Sequence, residues 1–197
     1  MVPAGLLGHT DAFASVYGRS PNTAKAKSVL QAAGVSTPVA LDLWYTPSHY
    51  GDASADEYAE IARALNSSGL FKVTLKSAEW AQYSNALGRD YNAFQLGWFP
   101  DYVDPEDYLV PFYRSDTFTA DGYNNPKMEA LLRQQAAASG AKRVPLLHQA
   151  QLLAARDAPI IPYWQGLMIA VSRNNVHGIN KTLDAEFWMR FWLISKS

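Results

Sequence analysis

The most informative stretch of this chain is Gly97-Trp98-Phe99-Pro100-Asp101-Tyr102-Val103-Asp104-Pro105-Glu106-Asp107-Tyr108. It follows the apolar run 91–96, which is typical of a buried strand that ends at Gly97. Asp104 followed by Pro105 predicts a helix N-cap and first helical residue, and the next acidic residues suit the positive end of that helix. Asp101 has no such capping role and is flanked by aromatic side chains. A carboxylate in that setting predicts a site for an amine or another polar ligand group.

The pattern Trp-x-x-Asp-Tyr-x-Asp-Pro in this stretch resembles the ligand-binding segment of bacterial extracellular solute-binding protein family 5. That family comprises the peptide- and oligopeptide-binding proteins of ABC transporters. Three further segments resemble family elements in the same order along the chain. Residues 22–35 are similar to its "AKxLLxxAG" helix, 122–126 to its "YxNPxxDxLL" element, and 143–163 to its "DAPxIPLY" helix and strand. Because four elements match over nearly the whole chain, the resemblance is more specific than any single motif.

Helical and strand patterns alternate along the chain, which predicts an α/β domain. We expect helices at 22–33, 53–65, 79–87, 105–112, 126–138 and 142–156, after a loop-rich entry at 1–19. We expect strands at 39–45, 71–75, 93–98 and 167–172, with an edge strand at 160–164. The resemblance implies a periplasmic-binding-protein-like lobe (type II, cluster C), with a mixed sheet flanked by helices.

The resemblance also implies how the chain is divided. The chain begins with a stretch that resembles the family's sequence at the start of its second lobe, Met1-Val2-Pro3-Ala4-Gly5-Leu6-Leu7-Gly8-His9. We therefore expect residues 1–185 to form the C-terminal ligand-binding lobe, and residues 186–197 to return toward a first lobe that this sequence lacks. The family is exported, often as a lipoprotein. We expect an extracytoplasmic location, in the periplasm or at the cell surface, with a membrane anchor in the full-length lipoprotein and no signal in this fragment.

Composition excludes several classes of protein. The formal net charge is −1 over 197 residues and no basic block is present, so nucleic acid is not an expected partner. The absence of cysteine excludes disulfides, zinc–thiolate sites and cysteine nucleophiles. The four histidines are scattered, and no nucleophile elbow, phosphate-binding loop or dinucleotide fingerprint occurs. We expect no catalytic residue, no metal site and no cofactor.

Two other classes of function stay open from the residues alone. The carboxylates between positions 101 and 107, with the aromatic residues around them, also fit a carbohydrate-active enzyme or a sugar-binding domain. A calcium loop fits less well, because its turn glycine and terminal glutamate are absent. The aromatic segment 187–194 would suit an interaction domain that dimerises.

The resemblance implies a binding site and its partners. Asp101 would accept the α-ammonium of the ligand, and Trp98 is the matching aromatic residue. The candidate ligand-binding residues are Asp101, Trp98, Gly97, Phe99, Tyr102 and Trp164. Gly97 would let a ligand backbone approach closely. The expected partners are a peptide or other small solute, the first lobe, and the permease and ATPase of the importer.

Overall fold

The computed structural model describes residues 1–117, 122–184, 186 and 188–197. Ala185, at the predicted end of the lobe, and Phe187, in the predicted aromatic segment, therefore lie outside the described residues. The chain forms two compact units. The continuous unit is Tyr17–Gly97, and the discontinuous unit combines Met1–Val16 with Trp98–Ser197.

The structure describes the helices α1 (Ala12–Tyr17), α2 (Thr23–Ala32), α3 (Ser54–Ser67), α4 (Trp80–Ala86), α5 (Val110–Tyr113), α6 (Pro126–Ala136) and α7 (Arg143–Asp157), with the strands β1 (Val39–Tyr45), β2 (Phe71–Ser77), β3 (Val176–His177) and β4 (Ser195–Lys196). Short 3₁₀ turns occupy Pro105–Tyr108, Gly140–Lys142, Ile179–Lys181 and Phe191–Leu193.

The continuous unit is built on the parallel pair β1–β2, joined by the crossover helix α3. The two strands are in register from Val39 opposite Phe71 to Tyr45 opposite Ser77. A parallel pair needs such a crossover, because the second strand must start at the same edge as the first. In α3, Tyr58 and Ala62 are buried on one face, as the four-residue spacing of an amphipathic helix requires.

Aromatic side chains form much of the core of this unit. Tyr83 is fully buried, and its hydroxyl donates to the carbonyl of Gln95 at 2.8 Å. The ring of Tyr91 stacks on Trp44 with centroids 4.1 Å apart. Burial raises the pKa of the Tyr83 phenol, so the hydroxyl stays a neutral donor. This cluster holds the chain that leads to Gly97 against the end of β1.

The core of the discontinuous unit lies between α6 and α7. Met128, Leu131 and Leu132 of α6 are buried, and Leu147 and Ala150 are fully buried on α7. Each fully buried large side chain of this kind stabilises a fold by about 1.5–3 kcal/mol.

The N-terminal segment is hydrogen-bonded to α7 within the same unit. Gln151 donates from Nε2 to the carbonyl of Gly8 at 2.6 Å. Gly8 has φ +71°, and a Cβ there would lie 2.7 Å from Leu147 Cδ1. A glycine is therefore required at this position for two separate reasons, its conformation and its close packing.

Several predicted elements differ in the structure. The predicted strand 93–98 is reduced to an isolated bridge between Trp44 and Phe94. The strands predicted at 160–164 and 167–172 were wrong, because neither range joins a neighbouring strand in the structure. The predicted helix 105–112 is a 3₁₀ turn followed by the short helix α5. Helix α1 was missed, since its six residues are too few to show a helical period.

The segment 160–172, which forms no strand, exposes large apolar side chains. Leu167, Ile169 and Val171 are 85%, 77% and 91% exposed. Phe191 and Trp192, near the C-terminus, are also largely exposed. In the part of the chain that the structure describes, no helix is long and apolar enough to cross a membrane.

Candidate functional site

The centre of the candidate site is the loop 98–104, which lies between Gly97 and the 3₁₀ turn Pro105–Tyr108. The turn begins as the sequence predicts. Asp104 is its N-cap, accepting from the Glu106 amide at 2.8 Å, and Pro105 is its first residue. The cap satisfies one of the amides that a helical start leaves without a partner.

Asp107 fixes the loop from inside. Its side chain is buried, and its Oδ2 accepts two hydrogen bonds. One comes from the Trp98 indole Nε1 at 3.2 Å and the other from the Asp101 backbone amide at 2.8 Å. The Trp98 ring also packs edge-to-face on Phe112, with centroids 5.1 Å apart. The sequence predicted only a role for Asp107 at the start of a helix, and its hydrogen bonds to Trp98 and to the Asp101 amide were not predicted.

The carboxylate of Asp101 itself is exposed. Phe99 and Tyr102, on either side of it, are 57% and 46% exposed, and Pro100 is buried. The loop therefore offers solvent a carboxylate between two aromatic surfaces. Such a surface can bind an ammonium group by charge-assisted hydrogen bonding and by cation–π contact.

The pKa of Tyr102 shows that the surroundings of the loop are negatively charged. Burial raises the pKa of its phenol, and four nearby carboxylates raise it further. They are Glu106, Asp107, Asp104 and Asp101, in decreasing order of effect. The four carboxylates predicted from the sequence are thus brought around one side chain.

Arg143 compensates one of these charges. Its guanidinium forms two parallel bonds to Asp104, 2.7 Å from Nη1 to Oδ2 and 2.5 Å from Nη2 to Oδ1. It also donates to the side-chain carbonyl of Gln135 from Nε and Nη2. The bonded guanidinium holds the pKa of Asp104 below its usual value, although burial opposes this. Asp104 is therefore a structural carboxylate, which disfavours it as a catalytic acid.

A further carboxylate reaches the loop from the C-terminal part of the chain. Glu186 accepts from the backbone amide of Val103 at 2.9 Å. The two residues are 83 positions apart, so no sequence spacing could have indicated this contact. Glu186 and Asp107 together satisfy two backbone amides of the loop and limit its conformations.

Two predicted site residues have contacts within the protein. A Cβ on Gly97 would lie 2.6 Å from Cε1 of Tyr50. A glycine at this position therefore already has a role in packing within the continuous unit. Trp164 is 61% exposed and packs edge-to-face on Tyr163 in the segment 160–172. A role toward a ligand stays a prediction for both residues.

Tyr123 and Asn125, in the motif at 122–126, have a structural role. The Tyr123 hydroxyl and the Asn125 side-chain amide both donate to Oδ2 of Asp157, at 2.6 and 2.7 Å. Asn125 also caps α6 by accepting from the Lys127 amide. These bonds join the start of α6 to the end of α7, which explains why tyrosine, asparagine and aspartate occur at these positions.

The described residues bring no metal-binding set together. Within them, no three histidine, cysteine, aspartate or glutamate side chains lie close enough to hold a metal ion. The arrangement in the loop is one of hydrogen-bonded and exposed carboxylates beside aromatic rings, which suits binding of a cation.

The fold indicates the class of protein to which the chain belongs. The chain has an α/β fold of the type II periplasmic-binding-protein class. Haemophilus influenzae OppA, solved in complex with RPPGFSPFR, superposes with a TM-score of 0.75 at 19% identity. The match covers 91% of this chain and 36% of that chain.

The chain belongs to the bacterial extracellular solute-binding proteins of family 5, since the model of the family's middle region matches residues 1–120. The dipeptide-binding protein DppE of Bacillus subtilis (strain 168) is 28% identical over 167 residues, which are 81% of this chain and 30% of DppE. Escherichia coli (strain K12) YgiS, named "Probable deoxycholate-binding periplasmic protein", is 29% identical over 158 residues, 76% of this chain and 28% of YgiS. The chain thus spans about 30% of the length of these curated relatives. This family comprises binding proteins, so the carbohydrate-active alternative is not favoured.

Proposed function

We propose that this chain is one lobe of the solute-binding component of an ABC importer, and that the solute is a peptide or peptide-like molecule bound through its ammonium group. The observation that carries the proposal is the exposed carboxylate of Asp101 on a loop whose backbone Asp107 holds in place. Several relatives are named dipeptide- or oligopeptide-binding proteins, which supports the same class of ligand.

In this mechanism Asp101 accepts hydrogen bonds from the ligand's α-ammonium. Phe99 and Tyr102 provide aromatic surface beside it, and Trp98 and Gly97 are candidate contacts of the ligand. Trp164 is a further candidate contact. Charge and hydrogen-bond geometry would select a free amine, while water-filled pockets accept varied side chains. No bond is made or broken, so we propose a binding protein without catalytic activity.

The proposal includes a second lobe. Residues 1–185 would form the C-terminal lobe, and residues 186–197 would return toward the first lobe. The apolar side chains exposed at 161–171 support this, because contiguous apolar surface of that kind usually marks a contact. Closure of the two lobes over the ligand would present the loaded protein to the permease and its ATPase. In such a protein the location is extracytoplasmic, with a lipid anchor on the full-length polypeptide.

The family alone does not determine the ligand, since YgiS is named for deoxycholate. Asp101 is the residue that favours an amine, and it is therefore the residue to test. Because one lobe supplies half of a cleft, we expect only weak affinity for this 197-residue chain, at the level that NMR titration still detects. Submicromolar binding by the chain alone would refute the one-lobe proposal.

The experiment is a titration of the chain, followed by ¹H–¹⁵N NMR, which detects millimolar affinity. The probes are Ala-Ala, N-acetyl-Ala-Ala, a disaccharide and deoxycholate. We expect Ala-Ala to shift signals of the loop 98–104, and Asp101→Asn to weaken this binding by roughly tenfold or more. Asp116→Asn is the control, because Asp116 is an exposed carboxylate that pairs with Arg114. Equal binding of Ala-Ala and its acetylated form would contradict amine recognition.

A further inference from the structure

Asp107 is an unusual carboxylate for its surroundings. Only 4% of the residue is exposed, yet its two side-chain bonds come from uncharged donors, the Trp98 indole and the Asp101 amide. Within the part of the chain that the structure describes, no lysine, arginine or histidine lies within 4 Å of it. A buried charge without a cation is costly unless its hydrogen bonds are well placed. A neutral side-chain amide could accept the same two hydrogen bonds, so the acceptor role alone does not explain a carboxylate at this position.

The two donors are the residues that the proposed site needs in a fixed position. Trp98 is held from two sides, by its bond to Asp107 and by the Phe112 ring. The Asp101 amide is bonded to the same oxygen, so the exposed carboxylate projects from a fixed backbone. A single oxygen atom therefore sets the relative placement of the aromatic ring and of the carboxylate.

The charge of Asp107 also acts on the neighbourhood. Asp107 and Asp101 both lie close enough to Tyr102 to raise the pKa of its phenol, after burial and Glu106. Arg143 forms an ion pair with Asp104 in this group of carboxylates, and its charge also acts on Glu106. The remaining negative charge attracts a cation and repels an anion, at a range that salt shortens.

We infer that Asp107 is a positioning and specificity-determining residue for amine recognition. It orients Trp98 and Asp101 through Oδ2, and its charge increases the preference for an ammonium over a neutral ligand. This inference rests on the proposed function for its ligand part, whereas its positioning part stands on the geometry alone.

The main variant is Asp107→Asn, which keeps a side-chain carbonyl for both donors but removes the charge. The second variant is Trp98→Phe, which removes one donor and keeps the ring against Phe112. The indole signal that disappears from the NMR spectrum of this variant is that of Trp98, which identifies it among the six tryptophans. Asp116→Asn is again the control, since it removes one exposed charge from the same unit without touching the loop.

Two measurements separate the parts of the inference. The first is hydrogen exchange of the Trp98 indole and the Asp101 amide, without ligand. In Asp107→Asn we expect both to exchange about five- to tenfold faster, because bonds to a charged acceptor are the stronger ones. In Trp98→Phe the Asp101 amide should stay protected, and the control should match the wild type. Unchanged exchange in Asp107→Asn would overturn the positioning role.

The second measurement is the ratio of affinities for Ala-Ala and N-acetyl-Ala-Ala at low salt and at 0.5 M salt. We expect Asp107→Asn to reduce this ratio about three- to tenfold at low salt and by less at high salt. A ratio reduced equally in Asp116→Asn would overturn the specific role of Asp107. A wild-type ratio of one would refute the proposed function and the ligand part together, while the exchange rates would still decide the positioning part.

Discussion

The ion pair between Arg143 and Asp104 allows a quantitative test of how the loop is held. Arg143 lies at the start of α7 and Asp104 at the start of the 3₁₀ turn, 39 positions apart. Their side chains are 13% and 31% exposed. We would replace Arg143 by Gln, Asp104 by Asn, and both together. Asp104→Asn keeps an oxygen that can cap Glu106, so the substitution removes charge rather than the cap.

The expected coupling follows from this partial burial. Fully exposed ion pairs contribute about 0–1 kcal/mol, and a hydrogen bond to a charged group contributes about 1.5–3 kcal/mol. The two parallel bonds join a mostly buried arginine to a partly exposed aspartate. Their contribution to the free energy of unfolding should therefore fall between these limits. We therefore expect a coupling free energy of about 1–2 kcal/mol at pH 7. In a chain of this size, that corresponds to roughly 2–8 °C in melting temperature.

The direction in which stability changes with pH follows from the pKa of Asp104. The pKa of Asp104 is lowered in the folded chain, so its ionised form stabilises the fold. This contribution is fully present above about pH 4 and is lost as pH falls through the folded pKa. Urea unfolding of the four variants at pH 7 and pH 3 would give the coupling at each pH. A coupling below about 0.3 kcal/mol at pH 7, or a larger one at pH 3, would refute the reasoning.

Two further substitutions test the fold that carries the loop. Gly8→Ala should destabilise by about 2–4 kcal/mol, because it adds backbone strain at φ +71° and a clash with Leu147. Gly5→Ala, at φ +93° with open space around it, should cost only about 1–2 kcal/mol, and equal costs in urea unfolding would contradict the packing argument. Ala158→Gly should stabilise by about 0.5–1 kcal/mol, since Ala158 ends α7 at φ 46°; a lower melting temperature would show that this strain is absent.

Local signals in the sequence predicted much of the fold. Asp104 caps the turn at Pro105 as predicted, and the helices predicted from 22 and from 126 begin at Thr23 and Pro126. The alternation in β1 and β2 appears as alternating burial in the structure. These features depend on neighbours in the chain, so a sequence is sufficient to detect them.

The features that were missed depend on distant contacts. Residues 167–172 have the composition of a strand, but a strand also needs a partner, and propensity does not supply one. In the site, the aromatic and acidic residues were predicted, whereas their arrangement was not. The bond from Trp98 to Asp107 depends on how the loop folds back on itself, and Glu186 and Arg143 come from far along the chain. No local pattern could have selected these residues from the other charged ones.

The bond between Gln151 and Gly8 also has a consequence for synthesis on the ribosome. It joins residues 143 positions apart within the discontinuous unit. At about 5–20 residues per second, the N-terminal segment must wait roughly 7–30 s for Gln151 to be made. During that interval the continuous unit, Tyr17–Gly97, is complete and can form its own core. The order of synthesis therefore favours folding of the middle of the chain first, with the first sixteen residues docking last.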